Sequence, residues 1–161
     1  MSLYQFTSGS NVLRSDGANI PPDIKNADWQ AYLAWRAAGN TPDPSPAPTV
    51  QQQADAAIAA GLAIASTGTP AINGTYALDD GQQTNLANVS IYIAVNNRFP
   101  AGQSSLMLRL ADGKLISIPS TAAWQAIATA IADYIAHLKI QLVVAARGGT
   151  PSWPSASVTI P

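Results

Sequence analysis

The stretch Ser120-Thr121-Ala122-Ala123-Trp124-Gln125-Ala126-Ile127-Ala128-Thr129-Ala130-Ile131-Ala132-Asp133-Tyr134-Ile135-Ala136-His137-Leu138 decides how most of this chain folds. Trp124, Ile127, Ala128, Ile131, Ile135, Leu138 and Leu142 recur at helical spacing, which predicts one helix over about 121–146 with a continuous apolar face. Ser120 can cap its start, and Gly148-Gly149 followed by Pro151 stops it. An apolar stripe of that length has to be buried, so this helix is expected to be the central core element of its domain.

Working back toward the N-terminus, Leu106–Leu110 and Leu115–Ile118 flank Ala111-Asp112-Gly113-Lys114. Asp-Gly suits the φ > 0 positions of a tight turn, so a β hairpin is predicted there. Asp79 and Asp80, each followed three residues later by glutamine, offer two capping registers for a helix reaching about Asn97, with Leu86, Val89, Ile93 and Tyr92 on its apolar face. Ser66–Leu78 is rich in Thr, Gly and Pro and reads as extended or looped. A further helix is expected near Val50–Ala63, with Val50, Ala54, Ala57, Ile58 and Leu62 sharing a face and Gly61 weakening its end. Beyond the long helix, Ala156–Ile160 reads as a short terminal strand.

Thr41-Pro42-Asp43-Pro44-Ser45-Pro46-Ala47-Pro48 places proline at every second position, which favours extended polyproline II and makes a semi-rigid spacer. It divides the chain into an N-terminal module over 1–41, a linker over 42–48 and a mainly helical domain over 49–161. In the module, Tyr4 and Phe6 alternate with polar neighbours, and Val12 and Leu13 follow a Ser8-Gly9-Ser10 turn, which predicts a short β hairpin. Ile20-Pro21-Pro22-Asp23 is expected to end regular pairing. A helix over about 27–38 follows, with Asn26 as its cap and Gly39-Asn40 then Pro42 as its stop. Trp29, Tyr32, Leu33 and Arg36 lie at i, i+3, i+4 and i+7, with Trp35 expected on another side. So short a module has too little chain to bury all these rings by itself. The fold class expected is therefore α+β, mainly α: a short N-terminal β hairpin and an aromatic helix, a Pro-rich spacer, then a helical domain with one β hairpin.

Composition narrows function mainly by exclusion. Only 11% of the 161 residues are charged, against a usual share of about a quarter. The acids are all aspartate, and the net charge is −1, so there is no basic footprint for nucleic acid and no polybasic membrane patch. No membrane insertion is expected, and Met1-Ser2-Leu3-Tyr4-Gln5 lacks the charged start and apolar stretch of a signal peptide. Without cysteine there is no disulfide and no thiolate zinc site. So few charges on so small a chain mean either a surface unusually rich in Ser, Thr, Asn and Gln or one largely covered by partners.

Chemistry-bearing constellations are sparse. His137 is the one histidine, four residues after Asp133, so a helical turn can bring the two together. A serine nucleophile would complete a triad on paper, but no G-x-S-x-G elbow places one, and an exposed Asp–His pair is the plainer reading. One histidine cannot make a zinc site, and Asp79, Asp80 and Asp112 lack the spacing of a calcium loop and already serve as caps and turn residues. Gly148-Gly149 ends a helix, whereas phosphate binding uses glycines at a helix start. No cofactor, metal or catalytic residue is expected.

The segment 12–43 resembles one common in small bacteriophage and prophage tail proteins, through Ile20-Pro21, Asn26, Asp28-Trp29, Tyr32-Leu33-Ala34-Trp35 and Gly39-Asn40-Thr41-Pro42. The second part resembles a domain family often attached to phage tail fibres, through Ala56-Ala57-Ile58-Ala59-Ala60-Gly61, Thr75-Tyr76-Ala77-Leu78-Asp79, Ala111-Asp112-Gly113-Lys114 and Ala130-Ile131-Ala132-Asp133-Tyr134. The resemblance implies a non-enzymatic structural or interaction component of the tail, associated with the fibre or baseplate, made in the host cytoplasm and carried in the virion. Its partners would be other phage tail proteins and further copies of itself. Trp29, Tyr32, Leu33 and Trp35 are the residues expected to contact the partner, since aromatic anchors dominate interface energies. A tail-fibre assembly chaperone absent from the mature virion, or a host-surface carbohydrate-binding module, are the alternatives.

Overall fold

The computed structural model describes residues 2–161. The chain is an α+β protein, 44% helix and 19% strand, so helix leads as expected while strand takes a larger share than one hairpin would supply. It divides into two compact units, the first ending at Pro48 and the second running Thr49–Pro161.

The first unit holds a three-stranded antiparallel sheet in the order β1 (Tyr4–Phe6), β2 (Val12–Arg14), β3 (Asn19–Ile20), followed by helix α1 (Ala27–Ala37). The expected hairpin is thus a meander. Ile20, expected to lie where pairing ends, sits opposite Val12 as the last residue of β3, because only Pro21 and Pro22 after it lack an amide N–H. Asp43, expected in the spacer, pairs with Gln5 in parallel: Asp43 N–H donates to Tyr4 O and Phe6 N–H to Asp43 O, both at 2.9 Å. Pro42 is buried beside it. The extended backbone that alternating prolines impose is the same backbone an edge strand uses, and Asp43 still carries a donor.

The second unit is built on α4 (Thr121–Ala146), whose Ser120 cap accepts the Ala123 N–H. Helices α2 (Val50–Ala60) and α3 (Asp80–Asn96) pack on α4. A mixed sheet in the order β5 (Gly74–Tyr76), β4 (Leu62–Ser66), β8 (Ser157–Ile160) has β4 antiparallel to β5 and parallel to β8. The hairpin β6 (Leu106–Arg109) and β7 (Leu115–Ile118) turns at Gly113, φ +86°, where Leu110 and Lys114 close the loop at 2.8 Å. A bridge between Tyr76 and Leu110 and the bond from Ala111 N–H to Thr75 O at 2.7 Å tie that hairpin to β5.

Two readings of this unit are corrected. The helix expected to reach residue 63 stops at Gly61, which takes φ +83° where a Cβ would lie 2.5 Å from Tyr76 O. Leu62 is buried as expected, but from β4 rather than from the helix. On α4, Trp124, Ile127, Ile131, Ile135 and Leu138 are buried as the stripe requires, but Gln141 rather than Leu142 extends it. Gln141 is tolerated there because its Oε1 accepts the Ser152 N–H at 2.8 Å. The α4 helix is long and apolar enough to cross a membrane by length and composition alone. Its Trp124, Ile127, Ile131, Tyr134, Ile135 and Leu138 belong to the core shared with Tyr76, Leu86, Phe99, Leu108 and Ile160, while Ile140 and Val143 are exposed.

Candidate functional site

Asn26 sets the start of α1: its Oδ1 accepts the N–H groups of Asp28 at 2.8 Å and Trp29 at 3.4 Å. Two charges fix the helix against the sheet. Arg14, on β2, reaches Asp16 in the following turn at 3.0 Å and Asp28 in the first turn of α1 at 2.6 Å. Those bonds, to Asp16 first and Asp28 second, hold the guanidinium pKa above its ordinary value. The same bond from Arg14, together with the Ala18 N–H, holds the Asp16 carboxyl below the usual carboxylate range.

With the helix so placed, Trp29, Tyr32 and Trp35 follow one another at i+3 spacing, so Tyr32 is central and the two indoles flank it. The Tyr4 ring lies 5.1 Å from Tyr32 edge-on and 5.0 Å from Trp35, and Trp29 lies 4.9 Å from Tyr32. Such spacings are those of favourable aromatic pairs. Arg36 stands 6.0 Å over the Tyr32 ring. Together with Val12 and Ile20 these rings form the core of the unit.

The four residues expected to meet a partner therefore part company. Tyr32 is only 2% exposed and is consumed by the core of its own unit, so it offers no contact surface. Trp35 belongs to the cluster rather than to another side of the helix, because its long indole reaches back to Tyr4. Trp29 and Trp35 are partly buried, and Leu33 is 39% exposed. Leu33 follows Trp29 by four positions, so these two share the outward flank of α1. Ile24, just before the helix, is 76% exposed. The module does not bury all its rings, as expected: Phe6 is 41% exposed and Trp29 and Trp35 are only partly buried, while Tyr4 and Tyr32 are covered within the unit that β3 and the docked Asp43 segment complete.

In the second unit, Asp79 caps α3 through the Gln82 N–H at 3.1 Å and pairs with Arg109. Those contacts, the backbone bond foremost, lower its pKa. Neither glutamine closes a capping box: Gln82 donates instead to Arg109 O, and Gln83 to Leu78 O. Asp112 accepts the Lys114 N–H inside the hairpin turn and pairs with the Lys114 ammonium at 3.0 Å. Trp124 is core, fully buried, with its indole N–H on Ser90 Oγ at 3.2 Å. Among the described residues no three histidine or carboxylate side chains gather as a metal site would need. Asp133 and His137 are both exposed and make no hydrogen bond to each other. They line a recess of about 210 Å³ with Ser155 and Ser157, a juxtaposition that sequence reasoning missed because the serines lie beyond the end of α4.

No family model matches the chain, and no curated protein or solved structure matches it significantly.

Proposed function

We propose that the protein is a non-enzymatic structural component of a bacteriophage tail, associated with the fibre or baseplate. It attaches through its N-terminal unit to another tail protein or to further copies of itself. The observation that carries the reading is a separate aromatic unit whose helix keeps Trp29, Leu33 and Trp35 partly or largely open to solvent, beside the tail-protein sequence pattern over residues 12–43. Residues of this kind, an indole edge next to a leucine, form the centres of protein interfaces when a partner excludes water from them. The shortened spacer after Asp43 links this unit to one with a much larger core, which suits attachment through the first unit and display by the second.

Mass spectrometry of purified particles from a lysogen or infected culture carrying the gene tests this reading. The protein is expected in the particles at a fixed ratio to the tail proteins. Its presence in the lysate but absence from the particles would overturn the virion assignment in favour of an assembly chaperone.

A further inference from the structure

The connection from β4 to β5 ends in Asn73-Gly74, and no other asparagine in the sequence precedes a glycine. Asparagine is a thermolabile residue, most of all before glycine, where no side chain shields the next backbone nitrogen from its carboxamide. Packing favours the glycine: a Cβ at residue 74 would lie 2.9 Å from Leu110 Cδ2. Leu110 is held there by the hairpin, whose Ala111 N–H donates to Thr75 O at 2.7 Å.

Asn73 is also a working part of the sheet. Ala63 N–H donates to Ala156 O just before β8, while Thr75 O accepts from the hairpin. Alternation along the strands therefore turns the backbone of Ile64 and Ser66 toward β5, and that of Gly74 toward β4. Gly74 pairs with Ile64, and β5 has no residue left to meet Ser66. The Asn73 side chain takes that place, its Oδ1 accepting the Ser66 N–H at 2.6 Å. Ser66 is only 4% exposed, so its N–H depends on this acceptor.

The same contacts keep Asn73 unreactive while β5 is paired. Its carboxamide is pinned on Ser66, and its extended backbone, ψ 136°, holds the Gly74 nitrogen away from the carboxamide carbon. That nitrogen faces β4 as a ladder donor. Protection is local, however. Asn73 is exposed to water and Gly74 is the first residue of β5, so fraying of this end frees both.

We propose that Asn73 is a latent modification site, silent while β5 is paired and converted once that end of the strand opens. The Gly74 nitrogen attacks Asn73 Cγ, a succinimide ring closes, and the carboxamide nitrogen leaves as ammonia with the displaced proton. Water then opens the ring at either carbonyl, giving aspartate or isoaspartate. Aspartate restores an acceptor for Ser66. Isoaspartate routes the backbone through the former side chain, lengthens it by one carbon and leaves the Ser66 N–H without its partner. A chain converted in this way does not regain the β4–β5 pairing. The site goes beyond the proposed function and does not rest on it.

The test incubates the full chain at neutral pH, folded and in denaturing urea, with fragmentation mass spectrometry locating deamidation residue by residue. In urea Asn73 is expected to convert before every other asparagine, and in the folded chain at least about tenfold more slowly. Returned to buffer, the chain converted at Asn73 should melt below fresh protein taken through the same urea step. Asn73→Asp, which keeps the acceptor, should melt close to the fresh protein. Equal rates in the two states, no preference for Asn73 in urea, or a converted chain that melts like the fresh one would overturn the proposal.

Discussion

The two units solve the same burial problem with different means. The core cluster of the unit ending at Pro48 is Tyr4, Val12, Ile20 and Tyr32, two of them tyrosines. The unit from Thr49 to Pro161 buries a cluster dominated by leucine and isoleucine along one long helix. A chain of under fifty residues buries too little surface for aliphatic packing alone to hold it. Large rings supply more area per residue, and the Arg14 bridge to Asp16 and Asp28 fastens the helix that carries three of them. The consequence for function is that rings big enough to make a small core are also too big to be covered by it. Trp29 and Trp35 stay only partly buried while the second unit hides Trp124 completely.

That contrast can be broken at either end. The largest effect is expected for Ile131→Asp, which strands a charge on the buried face of α4 and should cost more than about 4 kcal/mol, unfolding the second unit. Urea denaturation followed by far-ultraviolet circular dichroism would register the loss of most helix. Tyr32→Ala removes the ring that Tyr4, Trp29 and Trp35 all touch and should cost about 3–5 kcal/mol, with the near-ultraviolet aromatic signal as the readout. Gly61→Ala sharpens the description of the second unit: the φ of +83° and the 2.5 Å approach to Tyr76 O predict a loss of about 1–3 kcal/mol. Asn26→Ala removes the cap of α1 and should cost the first unit about 1 kcal/mol.

The smallest effect concerns acid. Asp16, Asp79 and Asp112 have pKa values below the ordinary carboxylate range, because Arg14 for Asp16 and backbone N–H groups for the other two favour the ionised form. Groups depressed in the folded state contribute stability that is fully present above the unfolded value near pH 4. It is lost as the pH falls through the folded values below it. The melting temperature should thus be flat above about pH 5 and decline below about pH 4. Asp16→Asn should remove part of the decline in the first unit, where the aromatic signal reports.

The sequence announced the helices because each carries its own signals. Asn26, Asp79 and Ser120 all cap where their side chains predict, and the stripe on α4 is local periodicity. The Asp112-Gly113 hairpin was legible for the same reason. The β5-β4-β8 sheet was not, since Ala63 pairs with Ser157 across most of the unit and nothing within Leu62–Ser66 points to that partner. The aromatic helix was legible as a candidate site, but which of its rings face inward was not. Tyr32 is hidden by Tyr4 and Ile20, residues from strands whose packing on the helix no local pattern reveals. The recess at Asp133 and His137 escaped for a related reason, as its serines arrive from a strand placed by that same non-local pairing.

The central claim, that the N-terminal unit is the attachment device and the second unit is not, is tested most directly by comparing two chains in particle assembly. One is the full protein and the other begins at Thr49. The account predicts that the shorter chain folds, with its α4 core intact, but is absent from purified particles. A full-length Leu33→Ser, Trp29→Ala chain should be depleted in the same way, Trp29→Ala alone weakening association by about 2 kcal/mol or more. Incorporation of the Thr49 chain at the level of the full protein would contradict the account.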